Sequence, residues 1–319
     1  MGLFEQLFSH GHDKDMPALL PAIERAVSIV EPMLRQSKGY PALYHKPVAC
    51  ALEYARSLAS ALPGPVEINR ESYAREAFVH ALFPSVDYIT DAFASSVAVQ
   101  DYYREFPDTR ELCALMGMRR FEKNIMGMEL SGEVMHRDVI QKVVYFTSHT
   151  IENPAPTEKL AREKVALSFF DSLAGKVKKR VEARKQDWQL QLQEKDSLAS
   201  RLRAADAHTR PALEKEFSNK VAQMQSIASL MDWSHYIEDF EEVLLNPEQY
   251  LRLNRIPMVL DSMGIKQEGI EASQQDAILF NELIDFDRRD WTVTMVYGDK
   301  PNSELLAANL DKAYRKLAI

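Results

Sequence analysis

The sequence predicts an α+β fold, predominantly helical: a helical N-terminal region, a small antiparallel or mixed sheet, and a long antiparallel coiled-coil hairpin inserted in the body. Three observations predict it. Apolar residues recur at spacings of three and four through most of the first hundred positions. Residues 121–151 and 290–299 are instead rich in β-branched and aromatic side chains. Residues 160–205 hold an unbroken helical pattern with only a thin apolar stripe.

The first helix is marked by Leu19, Leu20, Ile23, Val27, Val30 and Leu34, with Pro32 inside it to kink or divide it. A second runs over residues 47–62, with proline in its first turn and Pro63-Gly64-Pro65 behind it. Asn69 can cap a third helix reaching Phe83, and Pro84 stops it. A fourth spans 85–104, and a short fifth 109–116. Ser131-Gly132 then reads as the turn of a hairpin with strands at 121–130 and 139–151. Asn153-Pro154-Ala155-Pro156 breaks the chain before the long helix.

In that helix Leu167, Phe170, Ala174, Val177, Val181, Arg184, Trp188, Gln191, Lys195, Leu198 and Leu202 form a seam, and Phe217, Val221, Met224, Ala228 and Met231 continue it after a turn near His208. The chain should therefore double back, setting Lys176 opposite Phe240. Charge agrees with that direction: residues 176–185 hold six basic side chains and one Glu, whereas 232–248 hold six acidic ones and no Lys or Arg. An arm that returns to its origin makes the flanking regions one body. The predicted divisions are 1–116 (helical), 117–156 (β-hairpin), 157–245 (helical-hairpin arm) and 246–319 (α/β completion). In the last, Trp291, Val293, Met295 and Tyr297 alternate as a strand expected to join the hairpin's sheet, and 303–317 reads as a closing amphipathic helix.

Chemistry is sparse. Cys50 and Cys113 lie in apolar helical contexts, too few for a disulfide framework or a thiolate metal site. Glu133-x-x-His136 is a lone pair beside a turn, His10 and His12 lie in a polar linker, and neither predicts a metal; no cofactor is predicted. Glycine loops for phosphate and the G-x-S-x-G elbow are missing. Met116, Met118, Met126, Met128 and Met135 read as adaptable core filling around the sheet. Arg119, Arg120, Arg288 and Arg289 stand at strand starts and form the candidate anion site, against the simpler reading that each pairs with a nearby carboxylate such as Glu122 or Asp290.

With a formal charge of -8, no run of about 20 apolar residues and no secretory leader, the sequence predicts a cytoplasmic protein that does not favour nucleic acid. Leu3, Phe4, Leu7 and Phe8 share a helical face that can dock on the body, a partner or a membrane. The functional expectation is a non-catalytic protein–protein interaction or scaffold protein acting through the coiled-coil arm, on another protein or a second copy of itself. The alternative is an enzyme or anionic small-ligand binder with its site between the N-terminal helices and the sheet.

Overall fold

The structure, a computed structural model, describes residues 16–131, 134–228, 233–267, 277–285 and 290–301. The fold is mixed α+β with one largely antiparallel sheet. The predicted face at Leu3–Phe8, Arg288, Arg289 and the closing helix over 303–317 lie outside the described residues. The chain divides into two compact units, one formed by residues up to Ala55 and Ser168–Tyr250, the other by Arg56–Leu167 and the residues from Leu251 onward.

The first unit begins with α1 (Met16–Val30), which buries Ile23, Ala26, Val27 and Val30. The helix stops before Pro32, whose ring the next turn accepts as a short 3-10 segment, Pro32–Gln36, capped by the Glu31 carboxylate on Met33 N. Helix α2 (His45–Ala61) follows, in this unit as far as Ala55. From Ser168 on, α7 (Glu158–Ala204) belongs to this unit, as do α8 (Arg210–Ala228) and α9 (Trp233–Leu244). The buried rings of Tyr44 and Phe240 meet edge to face at 5.1 Å.

Between α7 and α8, Asp206 accepts from the amides of His208 and Thr209 and from the Thr209 hydroxyl, and these bonds hold its carboxyl below the usual range. Lys220 of α8 reaches Gln191 (2.5 Å) and Glu194 of α7, Arg184 reaches Asp239 of α9 (2.8 and 3.0 Å), and Arg180 reaches Glu242 (2.7 Å). Numbers rise on one side as they fall on the other, so the returning segment runs antiparallel to α7. Val181, Arg184, Trp188, Gln191, Lys195, Leu198 and Leu202 are all at least partly covered, while Glu182, Ala183, Gln186 and Asp187 between them are exposed. Arg184 faces Asp239, where a uniform count from the turn sets Lys176 against Phe240. The observed partner of Arg184 therefore lies seven positions further along the chain than the uniform count places it.

Lys185 also binds Glu31, and this ammonium holds the Glu31 carboxyl below its ordinary value near 4.5, with partial burial opposing. A carboxyl whose folded value is depressed contributes stability above about pH 4.5 that is lost as pH falls through the folded value. Glu31→Gln is therefore expected to flatten part of the acid limb of a stability-versus-pH curve measured by urea titration, and an unchanged limb would contradict the pairing.

The second unit carries β1 (Val66–Glu67), α3 (Arg70–Arg75), α4 (Ala77–Leu82), α5 (Val86–Ser95), α6 (Val97–Glu105), β2 (Glu111–Ser131), β3 (Val134–Ala155), β4 (Leu251–Met258), β5 (Ile278–Asp285) and β6 (Trp291–Asp299). Strand order is β3-β2-β6-β5-β4, with β1 parallel to β6. The predicted strand at Trp291 does join the hairpin's sheet, in register from Glu111↔Asp299 to Met118↔Thr292. The helix expected over 109–116 is instead the start of β2. Leu112, Cys113, Ala114, Leu115 and Met116 are all buried, and a run buried on both faces carries no alternation to distinguish strand from helix. The third and fourth predicted helices are each two, divided at Glu76 and Ser96, both in extended conformation. The Ser96 hydroxyl donates to the Ile151 carbonyl (2.9 Å) and accepts from Val99 N, fixing α6 to β3.

After β4 the chain turns at Asp261, whose carboxylate accepts from Met263 N and Ile265 N, both at 2.8 Å. Gly264 (φ 76°) gives its carbonyl to Val144 N, and Lys266 N donates to the Lys142 carbonyl. Gln267 N donates to Val259 O, so the turn extends β4 on one side and meets the outer edge of β3 on the other. Helices α3–α6 pack on one face of this curled sheet, against Leu112, Ala114, Met116, Met118, Phe146 and Phe280.

Candidate protein-binding surface on the β2–β3 ribbon

Beyond Met118, β2 leaves the side of β6. Arg119 and Arg120 stand at that departure. The Arg119 guanidinium lies 4.3 Å over the Trp291 ring and donates to the Asp290 carbonyl (3.0 Å). Arg120 donates to the buried Glu282 (2.6 Å) and pairs with Glu122. Both are therefore engaged within the sheet, which is what a half-covered guanidinium beside carboxylates does. The other half of the predicted anion cluster, Arg288 and Arg289, is outside the described residues.

From Lys123 to Ser131 and from Val134 to Gln141 the two strands pair only with each other among the described residues. This is a two-stranded ribbon about 30 Å long at the usual rise of a strand. Its register runs Met126↔Ile140, Gly127↔Val139, Met128↔Arg137 and Leu130↔Met135, so Asp138 is an extra residue on β3. Asp138 adopts φ 62°, a left-handed conformation that a short acidic side chain tolerates better than most.

The bulge decides what the ribbon displays. In a regular strand Arg137 and Ile140, three apart, point to opposite faces. With Asp138 taken out of the pairing they share one face with Met126, Met128 and Met135. On that face Met126, Met128, Met135 and Ile140 are 65%, 63%, 58% and 69% exposed. Together they present on the order of 500 Å² of apolar surface, the scale at which a patch on a monomer is often functional. The opposite face is occupied differently: the Gln141 side chain folds across Gly127, where a Cβ would meet it, and donates to the Met128 carbonyl (3.1 Å). The core-filling role expected of five methionines holds for Met116 and Met118, which are fully buried, and fails for the three on the ribbon.

No known protein family, curated protein or solved structure matches the chain.

Other chemistry is thin. No group of three or more His, Cys, Asp or Glu among the described residues is placed to hold a metal ion. No described helix is long and apolar enough to cross a membrane. Burial pushes the Cys113 thiol up to about 11 and the Cys50 thiol upward as well, so both are protonated at neutral pH and poor nucleophiles. A cleft of about 360 Å³ opens between α3–α4 and the turn after β4, lined by Tyr73, His80, Asp261 and Ile278 among others. There His80 Nε2 donates to the Ser262 carbonyl (3.2 Å). The sequence signal for the ribbon face was available only as an unusual density of methionine; which of them are outside depends on pairing and on the bulge.

Proposed function

We propose that the chain is a non-catalytic protein-binding molecule, and that its recognition surface is the Met126/Met128/Met135/Ile140 face of the ribbon. The occupant is an amphipathic helix of another protein whose apolar side carries a carboxylate opposite Arg137. The observation that supports this reading is four large apolar side chains exposed together on a two-stranded element, with one guanidinium in their row. Unbranched thioethers adapt to a partner's shape, and a cation amid apolar contacts favours an acidic counterpart. The α7–α8–α9 segment, read as an antiparallel coiled-coil arm, is the weaker candidate: Arg180, Arg184 and Lys220 spend their charge on Glu242, Asp239 and Glu194 within the arm.

A photocrosslinking residue at Met128, compared with one at Leu190 on α7, tests the assignment in the native cell. The expected result is one discrete adduct at Met128 with a protein whose contact peptide is helical and acidic. With that partner purified, Met126→Asp and Ile140→Asp are each expected to weaken binding about thirtyfold, as for residues central to an interface. Arg137→Glu should be rescued by charge reversal in the partner. An adduct formed only at Leu190 would move recognition to the arm, and an adduct with a second copy would replace the heterologous partner by self-association.

The cleft beside His80 favours a second reading, a small-ligand site between the N-terminal helices and the sheet, and a metabolite retained in native mass spectrometry and lost in Ala77→Trp would support it.

A further inference from the structure

The ribbon face is built from side chains that an oxidant can rewrite. We propose that Met126, Met128 and Met135 form a modification site for hydroperoxides, and that their conversion to sulfoxides switches off the apolar surface; this rests on the protein-binding reading above.

Met126, Met128 and Met135 are 58–65% exposed, whereas Met116, Met118 and Met295 are fully buried and Met258 is 3% exposed. Thioether oxidation follows access, so among these described methionines those in the core of the sheet are shielded and those on the ribbon are open. All three open sulfurs of the ribbon share one face, because Met126 and Met128 are two apart on β2 and Met135 lies opposite Leu130 in the same row sequence. Within the ribbon, oxidation therefore alters one face, while Met116, Met118, Met258 and Met295 in the sheet stay shielded.

The step balances without a metal or cofactor. The thioether sulfur attacks one oxygen of the hydroperoxide; an S–O bond forms and the O–O bond breaks. Sulfur loses two electrons, and the departing oxygen takes up the proton and leaves as water or alcohol. The product carries a strong S=O dipole where an apolar, polarisable sulfur stood, so water is retained at a surface that a partner's apolar side must dry. Two thiols reverse it through methionine sulfoxide reductase, returning the thioether and giving a disulfide and water. Ile140 in the same row cannot be modified, which leaves a residual apolar anchor.

The test uses the full chain, dilute hydrogen peroxide and the dye bis-ANS as an apolar probe. Peptide mass mapping is expected to show one added oxygen on each of Met126, Met128 and Met135 while Met116, Met118, Met258 and Met295 stay unmodified and far-UV circular dichroism is unchanged. Dye affinity should fall about tenfold on oxidation and recover with the reductase. A Met126→Leu/Met128→Leu/Met135→Leu variant should bind dye before and after peroxide alike. Met33 and Met263, exposed outside the ribbon, will also oxidise, and replacing them with Leu should leave the loss intact. Ribbon methionines oxidised no faster than core ones, or an oxidised protein that binds dye as the reduced one does, would overturn the switch. The binding surface itself is judged separately: Ile140→Ser in the triple-Leu background should weaken dye binding without any peroxide, and undiminished binding there would overturn the reading on which the switch rests.

Discussion

Gly298→Val is expected to destabilise the second unit by about 3 kcal/mol, the upper end of what overpacking a core costs. Gly298 lies in β6 opposite Leu112, and a Cβ built on it falls 2.0 Å from Phe93 Cε1 and 2.4 Å from Cζ. Phe93 is 3% exposed and belongs to the core cluster under α5, so its ring has nowhere to swing. The glycine is thus required by the close approach of an aromatic edge to the strand, and its backbone is not left-handed. Phe93→Ala alone should cost about 3–5 kcal/mol through the cavity it leaves. The two changes together should cost less than their sum by more than about 1 kcal/mol, because the valine enters the space the ring vacates. Urea denaturation of the four chains of this cycle measures it, and strict additivity would show that the ring and the strand do not meet as described.

That contact also shows what the sequence could and could not disclose. Trp291, Val293, Met295 and Tyr297 alternate, so β6 was legible. Its place between β2 and β5 was not, because the partner run Leu112–Met116 is covered on both sides and reads as apolar throughout. Strand β5 was missed because Ile278–Asp285 offers an apolar start and then polar Asn281, Glu282 and Asp285, whose burial follows from pairing, Glu282 with Arg120 for instance. The divisions at Glu76 and Ser96 were hidden for another reason: neither is proline or glycine, and at Ser96 the break goes with a tertiary contact, its hydroxyl on the Ile151 carbonyl. Along α7 the spacing of three and four marks the covered side from Phe170 to Leu202 but not at Leu167, which is 38% exposed. The ribbon face was not legible, since Asp138 breaks the two-residue period on which any reading of strand faces depends.

Asp239→Ala is expected to destabilise the first unit by about 3 kcal/mol, the lower end of the cost of stripping one partner from a buried ion pair. Asp239 is 2% exposed, and both its oxygens are taken by Arg184, at 2.8 Å from Nε and 3.0 Å from Nη2, with Arg180 at 3.7 Å. Removing the carboxylate leaves the Arg184 side chain, 35% exposed, to find water by bending away from the helix pair, which is why the cost falls at the lower end. Glu242→Ala, one turn further along α9, supplies the contrast: that side chain is 57% exposed, its carboxyl is held down mainly by Arg180, and its loss should cost less than about 1 kcal/mol. A swap separates register from burial. Arg184→Asp with Asp239→Arg keeps the charges opposed but sets the guanidinium in the buried position, so it should recover only part of the loss. Arg184→Leu with Asp239→Leu, which removes both charges from the interior, should recover more. Urea denaturation followed by far-UV circular dichroism ranks the five chains. An Asp239→Ala chain as stable as the Glu242→Ala chain would mean that the segments of opposite charge do not meet in this register, and that the antiparallel return of the chain along α7 is held by its apolar seam alone.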